Sequence, residues 1–340
     1  MWQLDNRSPF AAAGSWIRDP EGREIWIVAV KATYDIDPRG RTRPADLQPP
    51  VAHGPVTDDN GTLVTETDLG PAKLATDVIL LGHAHAPAAK PVTTLDIGFR
   101  VGELIREARV FGNRRWVRSL AWVKPSPPEP FERMPLTWSR AFGGLDPKTG
   151  EALPNPDGCG VVSDGAACAL PNVEHHIQRL KLPWDRPPAV GFGPVPRHWP
   201  ARMRYAGTYD EAWRRSRHPL LPADLDPRHW QTAPPEQQYP GRLRGGEPVG
   251  LIHLTPPGFG HEGLLQFPLP KLSLGFETWF YDGTRQRSRS TIHTVILEPD
   301  YPRVSIVHHM ALPCHPKVNL LDRTIITVKH RPLDQPEPQQ

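Results

Sequence analysis

Cysteine is scarce in this chain, with only three residues, Cys159, Cys168 and Cys314. None forms a CxxC pair and three cannot all pair within the chain, so a disulfide scaffold is excluded and reduced thiols are expected. No apolar run approaches the roughly 20 residues that a membrane-crossing helix needs. The opening residues, MWQLDNRSPF, lack a basic stretch followed by an apolar one, so no signal peptide is expected. Charge of one sign is also in short supply. A formal net charge of +3 over 340 residues is too small to point to nucleic acid. The expected setting is the cytoplasm, with neither a membrane nor a nucleic acid as partner.

Enzyme signatures are missing as well. There is no GxxxxGK[ST] phosphate loop, no GxSxG elbow and no HExxH. Gly191-Phe192-Gly193 opens like a dinucleotide fingerprint, but Pro194 and Pro196 follow. No helix can start there with backbone amides free for a phosphate.

Proline, by contrast, is abundant, with 43 residues against a usual share of about 5%. The prolines alternate with apolar words and tryptophans, as in PFERMPLTW (130–138), GFGPVPRHWP (191–200) and HPLLPADLDPRHW (218–230). A disordered proline-rich segment would lack such aromatic bulk. Proline lowers the entropy of the unfolded chain, so long irregular segments are more readily held in one shape. Loops held this way offer surface for recognition.

The flanks read as strands. Glu24 to Thr33 is β-branched and aromatic, and Thr76 to Ala86 is a short apolar run bounded by prolines. Leu95, Ile97, Phe99 and Val101 alternate as one face of a strand. A turn at Gly102-Glu103 leads to Arg106–Phe111 and then to the stretch from Trp116 to Trp122. From Lys124 to about Gly246 periodicity fades, except for one short helix over Asp210 to Ser216 with Asp210 as its N-cap. Strands return from Val249, with Tyr281-Asp282-Gly283-Thr284 and Glu298-Pro299-Asp300-Tyr301 as hairpin turns.

The expected fold is mainly β. It comprises two packed or strongly twisted antiparallel sheets, sandwich-like, built from N-terminal and C-terminal strands. A proline- and tryptophan-rich middle covers a face or an edge. Residues 1–330 are read as a single β-rich domain: 1–123 N-terminal strands, 124–246 irregular, 247–330 C-terminal strands. The polar, proline-rich residues 331–340 are read as a disordered tail.

Candidate chemistry is sparse. His308, His309, Cys314 and His315 lie close in sequence, yet neighbours in a strand point to opposite faces and the spacing is not that of a zinc site. His83 and His85 share a strand face. Asp224, Asp226, Glu236 and Glu247 are available as paired carboxylates but sit where turn and cap residues do. Arg285, Arg287 and Arg289 alternate with polar residues, as in a charge-protected edge strand or a basic face for phosphate.

The words PFERMPLTWSRAFGG (130–144, with Arg140 and Phe142), LPNPDGCG (153–160), ALPNVE (169–174), AVGFGPVPRHWPAR (189–202, with Trp199), GTYDEAW (207–213, with Tyr209, Asp210 and Trp213) and PLLPADLDPRHWQTAPPEQQ (219–238, with Trp230) form a series. KATYDI (31–36), ATDVILLGHAHAP (75–87) and VFGNRRW (110–116) precede them. In order and spacing the series resembles a domain family of unknown function encoded beside type VI secretion toxins, over roughly residues 1 to 310. Many of its members carry a pentapeptide-repeat extension that is not present in this sequence. The resemblance implies a cytoplasmic chaperone-adaptor that binds a toxin effector, through its N-terminal region, and loads it onto the spike and its PAAR tip. It implies no catalytic residue and no cofactor. Arg140, Phe142, Trp199, Tyr209, Asp210, Trp213 and Trp230 are the candidate partner-binding or loop-fixing residues. Arg140 is a candidate partner for a buried carboxylate such as Glu174. The rival reading is a β-scaffold hydrolase, carbohydrate-acting or metal-assisted.

Overall fold

The computed structural model describes residues 2–59, 61–118, 123–162, 168–314 and 316–329. The strand over Glu24–Ile36 organises it. Its continuous apolar run is buried on both faces, which is what such a run without alternation predicts. Trp26, Val28, Val30, Ala32, Tyr34 and Ile36 face the main core. Ile27 and Ala29 face a smaller one with Val51, Leu69 and Val307.

Around it lies a seven-stranded sheet. Its order is Gln238–Tyr239, Thr76–Leu80, Thr291–Glu298, Arg303–Pro313, Glu24–Ile36 and Ala11–Arg18, with Thr42–Pro44 also on Glu24–Ile36. A five-stranded sheet runs Val173–Glu174, Leu104–Phe111, Thr94–Val101, Pro248–Ile252 and Leu264–Pro268. A four-stranded sheet runs Gln3–Asn6, Leu321–Val328, Leu274–Phe280 and Arg285–Arg289. One contiguous core, from Phe10 to Ile326, takes side chains from all three sheets. The fold is thus mainly β and sandwich-like, with no barrel among the described residues.

Most pairs are antiparallel, but Thr76–Leu80 runs parallel to Thr291–Glu298, and Gln3–Asn6 parallel to Leu321–Val328. Sheets composed separately from N- and C-terminal strands are therefore not what forms. Each of these three sheets mixes strands from both ends, because apolar faces distant in sequence bury one another. Trp26 helps tie two sheets together: its indole N–H donates to Thr324 Oγ1 at 3.0 Å.

One hairpin turn falls at 281–284 as the sequence places it, and the other at 299–302, one residue beyond the expected 298–301. The run from Thr76 divides into two strands, Thr76–Leu80 and His83–His85. Trp116–Arg118 is a strand, while residues 119–122 lie outside the described residues, as does the tail 331–340. The middle third holds two short helices, α1 (Pro200–Met203) and α2 (Glu211–Ser216), and Asp210 is the N-cap of α2. No helix among the described residues is long and apolar enough to cross a membrane.

Candidate functional site

Proline restricts φ and removes backbone donors, so the irregular middle depends on side chains to hold it in place. Three sets do so. In the first, Trp138 and Trp199 meet edge to face at 5.4 Å, and the Trp138 indole donates to the carbonyl of Pro194 at 3.0 Å. Val195 completes this small core.

In the second, Glu66 lies between two guanidiniums, 2.6 Å from Arg197 Nη2 and 2.9 Å from Arg202 Nη1. Arg202 is buried and also donates to the carbonyls of Val195 and His229. Burial pushes the Glu66 carboxyl up, but the hydrogen bonds and charges of Arg197 and Arg202 outweigh it and hold its pKa below the usual value.

The third is centred on Asp77, which is fully buried. It accepts from Lys73 Nζ at 2.6 Å, Gln231 Nε2 at 2.8 Å and the Thr232 backbone N–H at 2.7 Å. Lys73 Nζ also donates to the hydroxyls of Thr232 and Thr294. A buried charge is tolerable only when its neighbours satisfy it this fully.

These anchors leave a groove of about 890 Å³. The hairpin formed by Val56–Thr57 and Leu63–Thr65 makes one wall. Pro135, Arg140, Pro196 and His198 are on the side built by the middle segment, and Asp157 lines it too. The two prolines present rigid apolar surface without donors, while Arg140, Asp157 and His198 supply polar groups of both signs. Ser139 lines the groove as well, and its hydroxyl is hydrogen-bonded to that of Thr137 at 2.9 Å. The groove thus combines rigid apolar walls with polar and charged groups of both signs.

The predicted site residues separate into several places. Arg140 lines the groove and donates to Asn172 Oδ1 at 2.8 Å. Its suggested pairing with Glu174 does not occur: Arg114, in the loop that follows the Leu104–Phe111 strand, takes that carboxylate at 2.5 Å. Trp199 is 2% exposed and lies beneath the groove wall rather than on it. Phe142 is buried in a separate small core with Trp116, Leu170 and Leu180. Tyr209, Asp210 and Trp213 stay together at α2. Tyr209 is 53% exposed and packs edge to face on Trp213, whose indole donates to the Leu220 carbonyl. Trp230 is half-buried against His229.

The other polar candidates have mainly structural partners. Asp224 accepts from Thr208, Asp226 caps Arg228, and Glu247 accepts from the backbones of Arg244 and Gly245. Glu236 is exposed. His308 and His309 do point to opposite faces of their strand, opposite Val30 of the main core and Ala29 of the smaller one. His309 stacks on His293 at 3.9 Å and meets the Gly70 carbonyl. The Cys314 thiol donates to the Leu312 carbonyl, and His315 lies outside the described residues. Among the described residues no cluster of three or more His, Cys, Asp or Glu is arranged for a metal ion.

One polar cluster escaped the sequence reading. Asp300 accepts from His83 Nδ1 and His85 Nε2, each at 2.7 Å, and from Arg133 at 2.9 Å. The two-residue spacing of the histidines signals a shared face. Their common acceptor, more than two hundred positions away, carries no local signal. The cluster clamps the His83–His85 strand to the hairpin turn at Asp300.

The family model described as "uncharacterized protein conserved in bacteria (DUF2169)" matches residues 21–309. The chain belongs to this bacterial family. No curated protein and no solved structure matches it. The matched span includes all three anchoring sets and the groove.

Proposed function

We propose that this DUF2169 protein is a non-enzymatic chaperone-adaptor. It binds a type VI secretion toxin effector in the bacterial cytoplasm and helps load it onto the spike and its PAAR tip. The observation that carries this reading is the groove, whose walls are an irregular segment locked in place by buried ion pairs and a tryptophan pair. A pre-shaped groove binds a flexible segment with less ordering cost on the protein's side. Its prolines and rim charges suit an extended stretch of cargo such as an effector N-terminus. The motif series quoted from the sequence supports the type VI assignment.

Binding of this kind stabilises cargo by mass action. The test is co-expression with the toxin encoded beside the gene. Cargo solubility and secretion are expected to depend on this protein, and to fall with Arg140→Glu combined with His198→Asp, two changes at the groove. Unchanged cargo solubility and secretion on deletion of the protein would overturn the reading.

A further inference from the structure

The outward face of the four-stranded sheet carries an arrangement that neither the core nor the groove requires. Strand register defines it in three cross-strand rows. Arg323, Trp279 and Arg285 share the first, with Gln3 beyond Arg323. Ile325, Glu277 and Arg287 share the second, with Asp5 beyond Ile325. Thr327, Gly275 and Arg289 share the third. Trp279 sits at the centre of the cationic half. The Arg285 guanidinium stacks 3.9 Å from its ring centroid, and that of Arg323 lies at 5.5 Å. The Trp279 indole nitrogen is buried without a hydrogen-bond partner. Glu277 lies 3.9 Å from Arg285 and 3.7 Å from Arg287, so one carboxylate is shared between two guanidiniums. Asp5 is occupied by Arg7. The face is therefore distinctly cationic in a chain whose whole formal charge is only +3.

The Arg285–Arg289 strand is also an edge. It pairs with Leu274–Phe280 on one side, and no strand lies beside it on the other among the described residues. Arginines at every second position of an edge strand hinder self-association. That role alone does not require a tryptophan held between two arginines beside the edge. Arginine and tryptophan are the side chains most enriched at binding hot spots.

We infer that this edge accepts an acidic β-strand from another polypeptide. The incoming strand extends the four-stranded sheet through main-chain hydrogen bonds. Its acidic side chains, spaced two apart, fall opposite Arg285, Arg287 and Arg289 as cross-strand charge pairs. Two-residue spacing is the element of selectivity: it favours a strand with alternating carboxylates over an acidic segment with its charges in one block. The surface is separate from the groove and does not depend on the cargo being a secreted toxin.

The test uses the full chain and a short fluorescein-labelled peptide alternating glutamate and valine, followed by anisotropy. Saturable binding is expected, weakened by added salt. A peptide of the same composition with its glutamates in one block is expected to bind roughly tenfold more weakly, because register pairing is lost. R285E/R287E/R289E is expected to abolish binding. These side chains are exposed, and circular dichroism and a thermal melt check the fold. Should that variant unfold, R287E and R323E are made singly and each is expected to weaken binding. No binding of the alternating peptide, equal binding of the block peptide, or binding indifferent to the arginines would overturn the inference. Tighter binding of phosphatidylserine vesicles or duplex DNA through the same arginines would overturn it too, since the face would then be a general polyanion surface. Failure of the peptide leaves effector loading standing, and failure of the co-expression test leaves strand acceptance standing.

Discussion

The carboxylate of Asp77 accepts the backbone N–H of Thr232 at 2.7 Å, across 155 positions of sequence. This bond joins a strand of the main sheet to the irregular middle at the segment following Trp230. Because the same carboxylate neutralises the buried Lys73 ammonium, removing it does more than break one contact. Asp77→Ala is expected to cost about 3–5 kcal/mol, the usual penalty for leaving a buried charge unpaired. A urea melt measures the loss. Limited proteolysis is expected to show new cleavage near residues 227–240, where the wild-type backbone is pinned. An unchanged melt and digestion pattern would mean the pin contributes nothing.

Acid is expected to destabilise the fold well above the carboxylate range. Burial pushes His308 and His309 down to about 4, and burial together with the His309, Lys73 and Arg242 charges pushes His293 well below its ordinary value. All three are neutral in the folded chain at pH 7, while the unfolded chain takes up protons near 6.5. Stability from these groups is therefore complete above 6.5 and is lost as pH falls from there towards about 4. Each histidine contributes a slope approaching about 1.4 kcal/mol per pH unit. Urea midpoints at a series of pH values read the slope, and His308→Leu is expected to reduce it by one proton. A midpoint flat across this window contradicts the assignment.

Sequence periodicity made much of the framework legible. The β-branched and aromatic run at 24–33 marks a strand, and Asp210 as an N-cap marks α2, because both signals are local. The sheet order was not legible, since the Thr76–Leu80 strand finds its parallel neighbour more than two hundred residues later. The groove was legible only in part. Arg140 stands out beside its glycines and Trp199 among its prolines. Glu66, which neutralises Arg202 beneath the wall, is one glutamate among many until the fold brings the two together. The Asp300 clamp was hidden for the same reason: hydrogen-bond partners chosen by tertiary structure leave no spacing to read.

Gly191 illustrates a residue whose local pattern suggests one use and whose packing shows another. In the sequence it opens a Gly-Phe-Gly that begins like a dinucleotide fingerprint, until Pro194 and Pro196 follow. In the fold, a Cβ at this position would lie 2.4 Å from the Trp138 ring. Gly191→Ala is expected to cost roughly 1–3 kcal/mol by overpacking. Because Trp138 must shift against Trp199, a change in the near-ultraviolet circular dichroism is expected with the melt. A variant with wild-type stability and spectrum would show that the ring has room to move.

Asp210 supplies the opposite case, a substitution with a local effect. Its side chain accepts the Trp213 backbone N–H at 2.8 Å and caps a helix of six residues. Asp210→Ala is expected to remove about 1 kcal/mol from that helix. The Trp213 indole holds the helix to the segment that follows it through the Leu220 carbonyl, and Arg217 ties it to a distant turn by donating to the Pro20 carbonyl at 2.5 Å. Those bonds survive the substitution, so the global melt is expected to move little. Hydrogen exchange at the Trp213 amide is expected to accelerate about fivefold, the same free energy read locally. A large shift in the global melt would instead place α2 within the cooperative core, and Tyr209 and Trp213 would then serve the fold more than any partner.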